Sequence, residues 1–340
     1  MVPHDEYLAL RERAGIVDRS DRGRLRLRGG DRRSYLQGLL TNDVEALTAG
    51  TGCYAALLTP QGRMISDMRV LETGDEVLID LPGAVAPQVR DHFANFIFAE
   101  DVTVDDESGR LRQCGIYGPA AASALAATLA GVTGGDPSAP SIADLEALPP
   151  FGNLRLPYDG ISLLAARSDD LGVPGFELFV DASHGAALVQ SLIDHGAVQV
   201  GSEAAEVCRV EAGRPLFGAD MDSDTIPLEA GITDRAISLT KGCYVGQEII
   251  IRVLHRGHGR VARRLVGMRF AGTSVPTRDA PVAVGEREIG RVTSAVYSPA
   301  VAAPIALGYV HRDFAEPGTR IRVLGHAGEQ AGTVVQTPFV

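Results

Sequence analysis

The sequence predicts an α+β protein that ends in a small β-barrel. Helix-like and strand-like periodicities alternate over roughly the first 250 residues. Short strand-like runs separated by Gly and Pro fill roughly the last 75 residues, at the spacing of a small barrel or sandwich. The length of 340 residues exceeds that of one ordinary hydrophobic core and indicates two or three domains.

The first predicted domain covers residues 1–141. The strict alternation from Arg24 to Arg28 is the period of a half-buried strand, whose arginines would form a basic face. The run 131–141 is rich in Gly, Pro and Ser and is predicted to be an exposed loop. Helices are predicted at 6–13, 32–40 and 82–96. Further strands are predicted at 54–58, 68–72, 76–80, 102–104 and 113–117.

The second predicted domain covers residues 142–262 and the third covers 263–340. The second combines strands near 161–166 and 177–180 with a helix at 184–195. The third is the barrel-like part, and its predicted strands are 266–270, 281–284, 288–294, 305–310 and 320–323.

The composition indicates an acidic globular protein. The 32 basic and 43 acidic residues give a formal charge of −11, which argues against general attraction to nucleic-acid backbones. The first residues lack the cationic start and apolar run of a signal peptide, and no apolar stretch is long enough to span a bilayer. The four cysteines are widely spaced and form no C-x-x-C pair. We therefore expect a reduced, cytoplasmic protein.

The strongest chemical signal is K-G-C-Y-V-G-Q-E at residues 241–248. Glycines beside Cys243 allow close approach of the backbone to a ligand, or a positive φ. A helix predicted at 249–255 and the charge of Lys241 would both favour the thiolate of Cys243, its reactive and metal-binding form. The alternative is an inert, buried cysteine in a turn. The residues alone leave both interpretations open.

The octapeptide resembles the signature of the YgfZ family of folate-binding proteins. These are relatives of the glycine-cleavage T-protein and include iron–sulfur assembly factors. Similar segments follow in the same order along the chain and, with the barrel-like tail, cover nearly all of it. The resemblance implies a ring of three parts around a central folate channel. The similar segments are 30–44, 54–67, 175–178, 209–218 and 227–231.

The resemblance also implies which residues form the site. Glu177 and Arg209 match positions that touch folate. A carboxylate suits the paired N–H donors of a pterin, and arginine can bind a carboxylate or stack on a ring. The alternatives are a solvent-facing carboxylate for Glu177 and a structural salt bridge for Arg209. The remaining candidates are Tyr244, Gln247 and Asn42 for folate contact, Lys241 and Cys243 for catalysis, and Cys243 for metal binding.

One position departs from the T-protein pattern. A T-protein uses an aspartate in aminomethyl transfer, a few residues after the strand that corresponds to 77–80, and Pro87 falls about there. The transfer carboxylate is therefore expected to be absent. We expect a folate-binding accessory protein for iron–sulfur cluster assembly or repair, which supports enzymes such as those that thiolate tRNA. The alternative is a tetrahydrofolate-dependent aminomethyltransferase or demethylase.

The accessory role would require partners. Clusters normally take four protein ligands, so a scaffold, carrier or client enzyme must complete a transient cluster held by Cys243. The tract Arg252–Arg264 contains five arginines, and no acidic residue lies between Glu248 and Asp279. The tract is either a solvated face or a site for the polyglutamate tail of folate, an acidic partner or tRNA. The expected cofactors are tetrahydrofolate and the shared cluster.

Overall fold

The computed structural model describes residues 3–133, 140–256, 259–325 and 328–340, and it confirms the α+β class. Two open β-sheets lie in the first two thirds of the chain, and a closed six-stranded barrel forms the last part. Residues 134–139 of the predicted loop and residues 257–258 of the basic tract lie outside the described residues. No helix in the described ranges is long and apolar enough to cross a membrane.

The helices begin and end close to the predicted positions where predictions were made. They are α1 (His4–Glu12), α2 (Arg32–Leu39), α3 (Ala86–Asn95), α4 (Ala121–Thr133), α5 (Ile142–Glu146), α6 (Gly185–Asp194), α7 (Ser202–Glu211), α8 (Thr233–Ala236) and α9 (Gln247–Ile251). A π-helical turn, Arg252–Arg256, follows α9. Helix α7 was not predicted, because Arg209 and Glu211 lie on its buried face and obscure the apolar periodicity.

The strands belong to three sheets. The five-stranded sheet contains β2 (Arg22–Arg28), β3 (Thr51–Leu58), β4 (Met64–Glu72), β5 (Val77–Pro82) and β6 (Thr103–Asp106). The six-stranded open sheet contains β1 (Gly15–Asp18), β7 (Leu111–Tyr117), β8 (Asn153–Tyr158), β9 (Ile161–Ser168), β10 (Gly175–Asp181) and β11 (Val198–Val200). The barrel contains β12 (Arg263–Phe270), β13 (Pro281–Val284), β14 (Arg287–Ser298), β15 (Ala303–His311), β16 (Arg320–Gly325) and β17 (Gly328–Val335).

The two open sheets pack against each other. Their order is β3-β4-β5-β2-β6 in the first and β11-β1-β7-β10-β9-β8 in the second, with only the β1–β11 pair parallel. The second sheet contains strands from both sides of residue 141, so the chain crosses between the sheets more than once. An apolar cluster joins their facing surfaces through Leu71, Leu78, Leu164, Ala166 and Phe179.

The arginines of β2 lie between the two sheets. Arg24 is 3% exposed and donates to Gln113 of β7, while Arg26 pairs with Glu76 and Glu107 at 3.3 Å each. The predicted half-buried strand is present, but the prediction of an exposed basic face was wrong at these two positions. Their partners come from other strands, which is why buried arginine is tolerated here.

The ring of Tyr117 occupies a slot left by two glycines. A Cβ atom built on Gly175 would lie 2.3 Å from Cδ1 of that ring, and one built on Gly115 would lie 2.3 Å from Cε2. We expect Gly175→Ala to lower the free energy of unfolding by about 1–3 kcal/mol through overpacking, measured by urea denaturation. Gly38→Ala is the matched control, because nothing lies within 4 Å of its Cβ position. Equal stability of the two variants would contradict the prediction.

Helix α7 connects the open sheets to the barrel. The Arg209 guanidinium donates to Ser294 of β14 at 2.8 Å. Glu211 accepts hydrogen bonds from the Tyr7 hydroxyl of α1 at 3.1 Å and from the Ser298 hydroxyl of β14. Both α7 side chains are buried, so this helix fixes the barrel against the rest of the protein through polar contacts.

Candidate functional site

A cavity of about 470 Å³ lies between the turn that joins β1 and β2, the middle of β3 and β4, and α7 with the segment that follows it. This volume is in the range of small-molecule sites. Charged side chains dominate its wall, with six arginines and five carboxylates. The charged lining residues are Arg19, Arg22, Arg69, Arg209, Arg214, Arg235, Asp18, Asp21, Asp67, Asp170 and Glu206.

Asp67 is the carboxylate best placed for proton transfer. It projects from β4 into the cavity and accepts a hydrogen bond of 2.7 Å from the Tyr54 hydroxyl of β3. Burial raises the pKa of Asp67, and the neighbouring Arg22 and Arg69 offset only part of this effect. An acid with a raised pKa can hold a proton, or accept one, closer to neutral pH than an ordinary aspartate.

Asp170 has the opposite electrostatic behaviour in the same cavity. Burial opposes its ionisation, but its pKa is held below the ordinary value mainly by Arg69 and Arg19. The Arg69 guanidinium contacts the Asp170 carboxylate directly, and Arg19 lies 3.7 Å from it. Two carboxylates with pKa values pushed apart can divide their roles, one exchanging protons and the other remaining a fixed negative charge.

A buried ion pair holds the arginines beside Asp67. Asp80 of β5 is fully buried, lies 3.0 Å from Arg69 and also contacts Arg22. The register explains the contact, because Arg69 and Asp80 are direct neighbours across β4 and β5. The arginines are therefore fixed by protein before any ligand binds, which is a form of preorganisation.

Glu177 lies behind the cavity wall. Its side chain is almost completely buried and accepts hydrogen bonds from Arg19 at 3.1 Å, from Gln113 at 2.9 Å and from the Tyr117 hydroxyl. Arg19 lines the cavity, whereas Glu177 is not among the lining residues. The solvent-facing alternative for Glu177 is excluded, and its connection to the cavity runs through Arg19.

Arg209 lines the cavity and is also part of a structural ion pair. Its guanidinium lies 2.7 Å from Asp220, donates to the Arg214 carbonyl and pairs with Glu206. Arg209 therefore forms the structural salt bridge given above as one interpretation, and it also borders the cavity that folate contact would require. All five N–H groups of its guanidinium have acceptors, so any ligand contact by Arg209 must stack on the planar face of that group.

The other three predicted folate contacts do not line the cavity. Asn42 supports it indirectly, because its amide donates to the carbonyls of Tyr54 at 2.8 Å and Arg235 at 3.1 Å. Tyr244 is buried in the apolar cluster that also contains Tyr54, and its hydroxyl has no partner in the described part of the chain. Gln247 is the first residue of α9.

Lys241 stabilises the end of α2. It is the only lysine in the sequence, and its ammonium donates to three carbonyls, those of Gln37 at 2.7 Å, Leu40 at 2.6 Å and Asn42 at 2.9 Å. Burial lowers its pKa to about 8, so the amine remains charged at pH 7. With all three protons donated to backbone, the amine contacts neither the cavity nor a reacting group.

We expect Lys241→Met to lower the free energy of unfolding by about 2–3 kcal/mol, because it removes the donor to three carbonyls at a helix end. Lys241→Arg should be almost as unstable, since a planar guanidinium cannot direct three protons at acceptors arranged around one ammonium. Urea denaturation at pH 7 measures both. Wild-type stability of the arginine variant would show that charge alone is required.

Cys243 lies on the surface outside the cavity. It is exposed, and α9 begins four residues later at Gln247. Of the motif glycines, only Gly246 has a positive φ, 85°, and its Cβ position would lie 2.6 Å from the Thr59 carbonyl. This glycine thus lets the loop pack on the β3–β4 turn. No group of three or more His, Cys, Asp or Glu side chains is arranged to hold a metal ion within the described ranges.

The expected absence of a transfer carboxylate at Pro87 stays a prediction, but carboxylates from other segments line the cavity. Pro87 is an exposed residue of α3 and does not line the cavity, whereas Asp67 and Asp170 do. The sequence of β4 nevertheless indicates that Asp67 lies beside a cation. Asp67 and Arg69 are two residues apart in β4 and must share one face of the strand.

Comparison with known proteins gives the same architecture. Residues 2–241 match the GCVT N-terminal domain, and residues 263–340 match the glycine cleavage T-protein C-terminal barrel domain. An aminomethyltransferase of Rubrobacter xylanophilus is 33% identical over 305 residues, 90% of this chain and 78% of that protein. An aminomethyltransferase of a Synechococcus strain is 31% identical and covers 98% of this chain and 89% of that protein.

A solved structure has the same fold. The glycine cleavage system aminomethyltransferase T from Bartonella henselae superposes with a TM-score of 0.87 and 23% identity, covering 99% of this chain and 89% of that chain. The narrower resemblance to the YgfZ family stays a prediction, because these relatives are named aminomethyltransferases. The two domain matches span nearly the whole chain in the implied order, and the chain belongs to the glycine cleavage T-protein family.

Proposed function

We propose that the protein is a tetrahydrofolate-dependent one-carbon transferase that acts on an aminomethyl donor. The observation that supports this most directly is Asp67, a carboxylate with a raised pKa that faces the cavity beside Tyr54. Membership of the T-protein family supports the same conclusion, as do relatives named aminomethyltransferases. This proposal replaces the accessory role as the leading one, because the similar proteins are named aminomethyltransferases and the cavity offers a carboxylate, Asp67, from another strand.

The proposed reaction needs no oxidant. A methylene carbon bonded to a thioether sulfur and an ammonium nitrogen loses both bonds and forms new bonds to N5 and N10 of tetrahydrofolate. The two protons released from N5 and N10 end on the sulfur and on the departing ammonia. Asp67 is proposed to accept and return a proton during these steps, with Asp170 and Arg69 fixing the local charge.

The cavity has the chemical character that a reduced folate requires. Its wall contains apolar side chains, among them Val17, Leu171 and Leu216, as well as arginines. The apolar side chains suit the flat rings of a folate, and the arginines suit its carboxylates. Glu177 and Arg209 are proposed to contribute at the ring end, Glu177 by holding Arg19 and Arg209 by stacking the face of its guanidinium on the ring.

The test is turnover by purified protein under anaerobic conditions. Tetrahydrofolate and an aminomethylated lipoyl carrier protein are supplied, and methylene-tetrahydrofolate and ammonia are measured together. We expect the two products in equal amounts, together with calorimetric binding of tetrahydrofolate. Binding without turnover on this donor or on an N-methyl donor would reject the transferase proposal and leave folate as a ligand only.

A second function is favoured by the loop that carries Cys243. Leu239 is 61% exposed in the same loop, so an apolar side chain and a thiol both face solvent outside the cavity. Such a surface suits contact with a protein partner, as the accessory role in iron–sulfur assembly requires. Cys243→Ser would then abolish activation of cluster enzymes while leaving folate binding intact. Cys53→Ser, a less exposed cysteine, is the control, and unchanged activation in the Cys243→Ser strain would reject this role.

A further inference from the structure

Two arginines in the cavity wall share a single carboxylate. Arg214 and Arg235 both pair with Asp169: Arg214 contacts one carboxylate oxygen, and Arg235 lies 3.2 Å from the other. Each arginine side chain is 28% exposed, whereas Asp169 is 50% exposed. The Asp169 carboxylate therefore lies closer to solvent than the two guanidinium groups with which it pairs. Asp169 belongs to the loop after β9 and does not line the cavity.

Most donors of these two guanidinium groups are unused. Each arginine donates to Asp169 only through Nη2 in the described residues. Arg214 Nε is buried and has no hydrogen-bond partner anywhere in the ranges that the structure describes. The Nη1 groups of both arginines also have no acceptor in the described residues, and a ligand in the cavity could accept hydrogen bonds from them.

The arginines also separate two cavities. A second cavity of about 110 Å³ lies on the barrel side and shares Arg214, Pro215 and Arg235 with the larger one. The Arg235 guanidinium stands over the Tyr54 ring, 5.2 Å from its centroid, which places it on the same wall as the Tyr54–Asp67 pair. A group bound between the two arginines would lie in the wall of the larger cavity, with the smaller cavity on its other side.

We propose that Arg214 and Arg235 form a clamp for a carboxylate of the ligand, which Asp169 occupies until the ligand displaces it. This inference rests on the proposed function and specifies its substrate as a folate with free glutamyl carboxylates. Paired guanidinium groups bind carboxylates bidentately through planar, charge-assisted hydrogen bonds. Asp169 is half exposed, so water can solvate it once it is displaced, and the exchange conserves the number of ion pairs.

The test compares tetrahydrofolate with its diamide, in which both glutamyl carboxylates are carboxamides, by anaerobic calorimetry. Wild-type protein is expected to bind the acid about 10- to 100-fold more tightly than the diamide. Arg214→Gln is expected to weaken binding of the acid about tenfold and to leave binding of the diamide unchanged. Arg214 is chosen because Arg235 also contacts Tyr54, whereas among the described residues Arg214 binds no side chain other than Asp169.

Two further variants sharpen the test. Asp169→Asn removes the competing carboxylate charge and should strengthen binding of the acid severalfold without affecting the diamide. Arg322→Gln is the matched control, since Arg322 pairs with the half-exposed Glu329 at 2.7 Å on the barrel and lines neither cavity of the clamp. It should leave both affinities unchanged.

The outcomes separate the clamp from the proposed function. Equal affinity of wild-type protein for the acid and the diamide, or an equal loss of both in Arg214→Gln, would overturn the clamp while folate binding stands. If wild-type protein binds neither ligand, the proposed function fails and the clamp fails with it. Restored preference for the acid in Arg214→Lys would show that charge suffices and would reject the bidentate geometry.

Discussion

The Asp67→Asn protein is expected to lose at least about 100-fold in turnover while binding tetrahydrofolate within a few-fold of wild type. The amide has the same size and keeps an oxygen that can accept the hydrogen bond from Tyr54, so the cavity wall should persist. It cannot take up and return a proton. The loss should therefore appear in kcat and not in KM, because an interaction used only in the reaction is removed.

The same variant is expected to change stability with a defined dependence on pH. Since the pKa of Asp67 is raised in the folded protein, the folded state binds more protons than the unfolded state between the two pKa values. Wild-type stability thus falls as pH rises from about 4 through the folded pKa. Asp67→Asn should melt at a higher temperature than wild type at pH 7, and this advantage should vanish below about pH 4. Asp105→Asn, an exposed carboxylate outside the cavity, should show neither change.

The Arg209→Met protein is expected to lose about 3–5 kcal/mol in the free energy of unfolding. Asp220 is 2% exposed and would keep its charge without the guanidinium that lies 2.7 Å away. The hydrogen bond to Ser294 across the α7–barrel contact would disappear as well. Urea denaturation measures the loss, and Arg322→Met, which breaks an exposed pair, should cost less than about 1 kcal/mol.

A double variant separates the structural contribution of Arg209 from ligand contact. In Arg209→Met/Asp220→Asn the buried carboxylate is neutral, so most of the lost stability should return. If tetrahydrofolate affinity stays low in this stabilised protein, the guanidinium contacts the ligand as the family resemblance implies. Recovery of affinity together with stability would assign Arg209 a structural role alone.

Local periodicity predicted most elements of this fold but not the pairing of its two open sheets. The alternation in β2 predicted the strand correctly, and it predicted an exposed basic face that does not exist at Arg24 and Arg26. Their partners Gln113, Glu76 and Glu107 reside on strands or turns that only the packing of the sheets brings near. Contacts between distant segments leave no periodic trace in a sequence, so such partners could not be predicted from it.

The candidate site shows the same limit. Asp67 lies on β4, whereas Asp170 lies in the loop after β9 of the other sheet. Burial raises the pKa of Asp67, and Arg69 and Arg19 hold the pKa of Asp170 below its ordinary value, so both shifts depend on packing between distant segments. The resemblance led to Arg209, which lines the cavity, and to Glu177, which lies behind it. The motif also led to Lys241 as a site residue, although its ammonium donates to carbonyls at the end of α2. A sequence motif shows which residues are present but not where their side chains point.

The presence of a single, buried lysine limits the sites at which this protein can react with amine-directed reagents. Every other basic side chain is arginine or histidine, so apart from the α-amino group the molecule offers amine-directed reagents only Lys241. That amine is held by three carbonyls at the end of α2 and can react only when the loop bearing Cys243 separates from the helix. The rate of Lys241 acylation would therefore report how often this loop opens, without any engineered label. Binding of a partner at the loop should lower that rate.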